Sequence, residues 1–181
     1  MNQFVWYIRV AAIWCIISVL FYIPLFFIFK RKGKGVLRQA GYFAFIFSIF
    51  IIVFATLIYK VADAAPERHV LNLTPFLWWA ESLRAGQMNR LLTEIAPNIM
   101  LFIPVGIFMP VVIKRTRKYY IIVTPLLFIS LLIEFIQYFT GRSSDIDDII
   151  MNVIGGIIGY AIFKGLNCLF KNKVWWGKFT D

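Results

Sequence analysis

The chain has 181 residues, of which 61% are apolar and only 15% are charged, and its mean hydropathy is +0.78. Soluble domains are about half apolar and about one-quarter charged, so the composition argues against a water-soluble globule and for a protein that places much of its surface in lipid. The formal net charge of +10 does not require a nucleic-acid partner, because a membrane protein carries excess base on its cytoplasmic side.

Five stretches are long and apolar enough to cross a membrane as helices, for which about 20 residues are needed. They cover residues 10–29, 41–59, 95–113, 119–140 and 149–163. The fifth stretch is short, but Lys164 can snorkel toward the headgroups and extend it to Phe170. Bases instead of a cleavage site follow the first stretch, so we expect a retained helix and not a signal peptide. The sequence therefore predicts an all-α membrane protein, a bundle of about five transmembrane helices in a single domain of residues 1–181.

The basic residues predict the orientation. They are concentrated in the connections 30–38 and 114–118 and in the carboxyl-terminal segment 164–181. If five spans alternate, one face carries a net charge of +12 and the other a net charge of −1. Because basic segments next to spans stay in the cytoplasm, we predict that the amino terminus lies outside and that residues 164–181 form a basic cytoplasmic tail.

The long connection 60–94, on the predicted outer face, contains a short helix. Thr74 and Pro75 have the order of an N-cap and a first helical residue, and Gly86 supplies a stop. Apolar side chains recur at helical spacing at Phe76, Trp79, Ala80 and Leu83. Such a helix could lie in the outer membrane interface or pack as a lid on the spanning helices, and both interpretations remain open.

Glu134 is a charged residue inside the predicted fourth span, where the transfer of a charge into lipid costs free energy. A carboxylate in a spanning helix costs about 3 kcal/mol on insertion scales, so such residues usually face the bundle interior and have partners. Ser130, Gln137 and Gly141 lie on the same stripe of the fourth helix, because each is three, four or seven positions from Glu134. The helical rise places Glu134 about 9 Å from the outer end of its span.

The segment that enters the fifth span carries a second polar stripe. Five residues are spaced by three, four, three and four positions and share one helix face: Asp145, Asp148, Asn152, Gly155 and Gly159. Acids in a first turn interact favourably with the helix dipole, and the Gly155-x-x-x-Gly159 motif lets another helix backbone approach closely. We expect this face to pack on the fourth helix, with the glycines as a floor beneath the polar residues.

Three segments are thus predicted to meet near the outer end of the bundle. Asn98 lies near the outer end of the third helix, and Arg142, in the turn between the fourth and fifth spans, can reach the acids of both helices. We name as the polar cluster these seven residues: Asn98, Glu134, Gln137, Arg142, Asp145, Asp148 and Asn152.

The polar cluster has two interpretations. Taken singly, the aspartates are typical helix caps and the amides typical interhelical hydrogen bonds, which would make the cluster a structural network. The meeting of all of them at one depth favours a substrate or ligand site. Glu134, Asp145 and Asp148 could bind a divalent cation through oxygen ligands, but no further feature supports a metal. No cofactor is predicted.

Four segments, in this order, resemble the VanZ-like family. They are Asn72-Leu73-Thr74-Pro75-Phe76; residues 98–104 with Gly106 and Pro110; Glu134-x-x-Gln137; and Arg142-x-x-Asp145-x-x-Asp148-x-x-x-Asn152-x-x-Gly155. The resemblance covers about residues 42–163 and leaves residues 1–41 as an extra first helix and basic loop. It implies a bacterial cytoplasmic membrane protein of the kind named for low-level resistance to teicoplanin and related lipid-tailed glycopeptides, and it implies no catalytic chemistry.

Two function classes remain open. The chain could be a non-enzymatic resistance factor acting at the outer face of the membrane. It could instead be an enzyme or transporter that acts on a lipid or lipid-linked envelope precursor through Glu134, Arg142, Asp145 and Asp148. The sequence contains no Gly-x-Ser-x-Gly elbow and no paired-histidine phosphatase pattern, so no catalytic residue is assigned. The predicted partners are membrane lipid and either a lipoglycopeptide or a lipid-linked precursor.

Overall fold

The computed structural model describes residues 3–58, 71–141 and 143–181, with their side chains except at positions 3–8, 58, 78, 90, 91 and 94. Seven α-helices lie in these ranges: α1 (Gln3–Arg31), α2 (Val36–Val53), α3 (Leu77–Arg84), α4 (Met88–Val112), α5 (Tyr119–Phe139), α6 (Ile146–Phe170) and α7 (Val174–Thr180). A π-helical turn, Phe54–Ile58, continues α2, and a 3₁₀ turn, Lys114–Arg117, precedes α5. The two-residue strands β1 (Leu71–Asn72) and β2 (Ser144–Asp145) pair in parallel.

Five helical segments in the described residues are long and apolar enough to cross a membrane: Arg9–Arg31, Val36–Leu57, Ile95–Val112, Tyr119–Phe139 and Ile146–Phe170. The prediction of an all-α, multi-pass membrane protein with about five transmembrane helices is therefore confirmed. The fifth span continues past Lys164, whose Nζ lies 5.9 Å from the ring centroid of Tyr160, and it ends at Phe170 as predicted.

The core lies where α4 packs against α2, α5 and α6. Phe102 and Val105 of α4 are fully buried and belong to one apolar cluster with buried residues of all three neighbours. In contrast, α1 is exposed along most of its length and is held to α2 at separate points, such as the hydrogen bond from the Trp14 indole to the carbonyl of Phe50. Since lipid tails are as apolar as leucine side chains, close packing and interhelical hydrogen bonds must hold such a bundle together.

The glycines of α6 provide the closest of these contacts, and their partner differs from the predicted one. A Cβ atom added at Gly155 or Gly159 would collide with the backbone carbonyl of Ile99 or Ile103 in α4, the third span. A Cβ atom added at the neighbouring Gly156 would instead collide with the side chain of Leu126 in α5. The prediction that the glycine floor packs on the fourth span was therefore wrong, because the Gly155 and Gly159 face is directed at the α4 backbone.

The short helix α3 exists, but it begins later than predicted. Thr74 is not its N-cap: the Thr74 N–H donates to the Asn72 side chain in a turn, and α3 begins at Leu77 after Phe76, whose φ is +61°. The left-handed backbone of Phe76 separates Pro75 from the helix, and the Phe76 N–H donates to Asp147 of α6. The predicted stop at Gly86 is confirmed, since Gly86 has a φ of +67° and bonds back to the carbonyl of Leu83.

The carboxyl-terminal segment is more ordered than a tail. Its first part belongs to α6, and α7 folds back onto α2 and α4 and buries Trp176. Arg38 is buried beneath α7 and donates to the carbonyls of Val111, Val112 and Phe179. Lys114 donates to the Asp181 carboxylate and so holds the pKa of that group below its usual range. We name this region, with residues 32–35, 114–118 and 171–181, the basic end of the bundle.

The opposite end, with residues 71–87, 140, 141 and 143–148, is the acidic end. We expect a membrane-impermeant maleimide added to intact cells to label Ser143→Cys at the acidic end and not Arg115→Cys at the basic end, because basic segments stay in the cytoplasm. Both positions are exposed, and Cys15 and Cys168 would be replaced by serine in both variants. Labelling of Arg115→Cys with protection of Ser143→Cys would invert the orientation.

Candidate functional site

The acidic end is organised around the start of α6. Asn72 pairs with Asp145 in the β1–β2 register, and its side-chain Nδ2 donates to Asp145 Oδ2 at 3.0 Å. The Asn72 Oδ1 atom accepts the N–H of Thr74 at 3.1 Å. Asn72 thus holds the loop before α3 against the start of α6.

Asp145 is the N-cap of α6. Its Oδ1 accepts the N–H of Asp147 at 2.9 Å, which satisfies one of the free N–H groups of the first turn. The Asp145 N–H in turn donates to Oε2 of Glu134 at 3.0 Å. Glu134 is only 4% exposed. Hence the buried Glu134 carboxylate of α5 holds the N-cap residue of α6.

Two polar cluster residues join α6 to α4 at the same level. Asn98 Nδ2 donates to Oδ1 of Asp148 at 2.5 Å, and Asn98 is buried. The structure therefore brings the third span into the cluster, next to the acids that enter the fifth.

The two remaining amides lie deeper and use other partners. Asn152 Nδ2 donates to the hydroxyl of Ser130 at 3.0 Å, which links α6 to α5. Gln137 Nε2 donates to the carbonyl of Thr56 in the π-helical turn at 3.1 Å, which links α5 to α2. Among the described residues, Gln137 is therefore bonded toward α2 and not toward the aspartates.

Asp147 is a site residue that the sequence stripe did not include. It is 5% exposed, and its Oδ1 accepts the N–H of Phe76 at 2.9 Å. Its other oxygen, Oδ2, is buried and has no hydrogen-bond partner in the described part of the chain. Successive helical residues are about 100° apart, so Asp147 leaves the face of Asp145 and Asp148. The sequence signal that could have indicated Asp147 is its position in the first turn of α6. A carboxylate there lies opposite the loop that returns to the bundle and can accept an N–H from it.

A pocket of about 220 Å³ opens between α3, α4 and the start of α6. The side chains around it are three aspartates and four neutral residues: Asp145, Asp147, Asp148, Trp79, Ile95, Ser143 and Met151. Trp79 stands edge-on to Phe76, with ring centroids 5.0 Å apart. The loop helix therefore forms one wall of the pocket, while exposed Pro75 lies in the turn that precedes it.

Two further predictions concern the pairing of Arg142 and the binding of a divalent cation. Arg142 lies outside the described residues, so its pairing with the acids of α5 and α6 stays a prediction. In the described part of the chain, no three or more His, Cys, Asp or Glu side chains group closely enough to hold a metal ion. A divalent cation on Glu134, Asp145 and Asp148 thus remains a hypothesis.

A family model described as VanZ/LLP1 matches residues 14–171 of this chain. The match begins inside α1 and ends just after α6, so it extends beyond the stretch 42–163 on which the sequence resemblance is based. No curated protein and no solved structure matches the chain.

Proposed function

The chain belongs to the VanZ/LLP1 family, and from this we propose that it lowers the susceptibility of a bacterium to teicoplanin-type lipoglycopeptides by acting at the outer face of the cytoplasmic membrane. The observation that carries the proposal is the pocket at the acidic end. Three aspartates line it, and α3 beside it exposes Leu77 and Leu83, next to the exposed Phe76 that precedes the helix. An acidic pocket next to an exposed apolar helix suits a molecule that has both a polar head and an acyl tail.

The packing below the pocket favours action at one face over passage through the protein. Gly106 and Gly156 bring α4 and α6 into backbone contact, and a Cβ on Gly106 would collide with the carbonyl of Gly156. Phe102 and Val105, in the same stretch of α4, are fully buried. With no room between these two helices even for a methyl group, a ligand in the pocket meets a closed floor.

An enzyme or transporter that acts on a lipid-linked envelope precursor is the second candidate. The specific observation in its favour is Asp147, a buried carboxylate at the pocket with one oxygen that no described residue engages. Such a group could accept a proton or bind a donor. A comparison of the lipids and wall precursors of cells with and without the protein would test this candidate, since only an enzyme or transporter should change that inventory.

The resistance proposal is tested by expressing the full chain in a glycopeptide-susceptible bacterium without its own copy. We expect the minimum inhibitory concentration of teicoplanin to rise severalfold, while that of a glycopeptide without an acyl tail stays unchanged. Glu81→Gln, which alters an exposed acid of α3 away from the pocket lining, is a control that should behave as wild type. An equal rise for both antibiotics, or no rise for either, would contradict the proposal.

A further inference from the structure

The size of the pocket limits what can enter it. Pockets for drug-sized ligands usually measure about 300–1,000 Å³, whereas this one measures about 220 Å³. It is larger than a site for a single water molecule, for which about 15 Å³ suffices. The pocket therefore suits a headgroup or a side group of a larger molecule, and not the whole of a glycopeptide.

The charge of the pocket selects a cation. Residues 119–163 contain four acids: Glu134, Asp145, Asp147 and Asp148. Three of the four acids line the pocket, and no lysine or arginine lines it among the described residues. Opposite charge nearby is what makes a buried carboxylate tolerable, and for Asp147 a cationic ligand would supply it.

Asp147 identifies the point of attachment. The residue is 95% buried and lines the pocket, and its buried Oδ2 has no donor from any described residue. A buried acceptor without a donor is costly, and the cost is greater for a charged group. A ligand that brings its own N–H would remove it.

The neighbours of Asp147 favour an organic cation over a metal. Both oxygens of Asp145 and the Oδ1 atom of Asp147 already accept N–H donors, while Ca²⁺ needs six to eight oxygen ligands. Besides Ser143, the neutral lining residues are Trp79, Ile95 and Met151. These side chains suit methylene groups, and the ring face of a tryptophan attracts a positive charge. We propose that the pocket binds a primary alkylammonium group, with its N–H donors on Asp147 and its carbon chain against Trp79. This proposal deepens the proposed function, because it names the part of the ligand that the acidic end holds.

The test uses the full chain in nanodiscs of phosphatidylglycerol, titrated with butylammonium chloride against sodium chloride at equal ionic strength. Binding is followed by tryptophan fluorescence and by the shift in Tm, and we expect both to saturate. Asp147→Asn should weaken binding about tenfold or more, the effect of one charge-assisted hydrogen bond. Because asparagine still offers an oxygen to the Phe76 N–H, the fold should persist. Glu81→Gln is the control and should bind as wild type.

Several results would overturn the assignment. An equal response to butanol would show that charge is not recognised, and a saturable, Asp147-dependent response to Ca²⁺ alone would assign the pocket to a metal. Unchanged binding in Asp147→Asn would place the ammonium elsewhere. If that variant fails to insert, Asp148→Asn, which retains an acceptor for Asn98 and removes one negative charge from the pocket lining, should weaken butylammonium binding to a smaller extent, and unchanged binding would contradict recognition of charge.

Two further measurements identify the source of the ammonium group and distinguish a failure of this binding proposal from a failure of the proposed resistance function. If the natural ligand is a lipid headgroup, nanodiscs that contain phosphatidylethanolamine should compete with butylammonium; if it is an amine on a soluble or antibiotic ligand, they should not. Full resistance in an Asp147→Asn strain that no longer binds butylammonium would separate this ligand from the proposed function. If the wild-type chain does not raise the minimum inhibitory concentration of teicoplanin, the proposed resistance function is contradicted, while the result for butylammonium binding still stands.

Discussion

Cells that carry Glu134→Gln are expected to contain the protein at normal abundance and to lose its resistance phenotype. Glu134 is 4% exposed, and its Oε2 accepts the N–H of Asp145. Glutamine has nearly the same shape and still offers an oxygen to that N–H, so the start of α6 keeps its support. The negative charge is lost, and a neutral amide is less costly to bury than a carboxylate, so insertion should not suffer.

The measurement pairs the amount of protein in isolated membranes with the minimum inhibitory concentration of teicoplanin. Glu81→Gln is the matched control, because it makes the same chemical change at an exposed position of α3. A stable Glu134→Gln protein with full resistance would contradict a functional site at the acidic end. It would also favour a purely physical effect on the membrane, since an enzyme or carrier that uses this carboxylate should lose its whole phenotype.

The second large effect concerns the contact between α4 and α6. Gly155→Ala is expected to lower the amount of folded protein severalfold, because the added methyl group would collide with the backbone of Ile99. Overpacking of this kind typically costs about 1–3 kcal/mol, and a loss of about 1–2 kcal/mol already changes cellular abundance severalfold. Gly155→Leu should abolish the folded protein.

Gly165→Ala, in the same helix, is the control. Apart from its chain neighbours and its own helix backbone, no described atom lies within 4 Å of the position that its Cβ would occupy, and alanine is a better helix former than glycine by about 1 kcal/mol. The control should therefore equal or exceed wild type in membrane abundance and in the detergent-solubilised Tm. Equal stability of Gly155→Ala and Gly165→Ala would contradict the close approach of α4 and α6.

The same two helices show what kind of information a single sequence carries. The number of spans follows from length and hydropathy, which are local properties of the chain. α5 and α6 end within one residue of the predicted Thr140 and at Phe170 itself, whereas the second and fifth spans begin earlier than predicted, at Val36 and Ile146. The shared face of Asp145, Asp148 and Asn152 likewise follows from the helical period. The period cannot tell which neighbour that face meets, and the glycines proved to face α4 instead of α5.

The place of the short helix depended on a contact from far along the chain. Thr74 and Pro75 have the local signature of a helix start, yet the Phe76 N–H bonds to Asp147, 71 positions later, and α3 begins only at Leu77. The left-handed backbone of Phe76, whose N–H is held by this long-range hydrogen bond, is incompatible with a helix that starts at Thr74. The ordering of α7 depends in the same way on contacts with α2 and α4, which no hydropathy or charge pattern in the tail reveals.

The sequence by itself therefore determined the membrane class, the five spans, the charge asymmetry and the residues that share a helix face, because each depends on composition or on spacing along one helix. Only the tertiary structure decided which faces meet, and with them the site. Asp147 became a pocket residue, and Gln137 turned toward Thr56, because helix packing and the β1–β2 pairing bring together groups that are distant in the chain. A hydrogen bond between such groups depends on distance and direction in space, and a linear pattern of residue types contains neither.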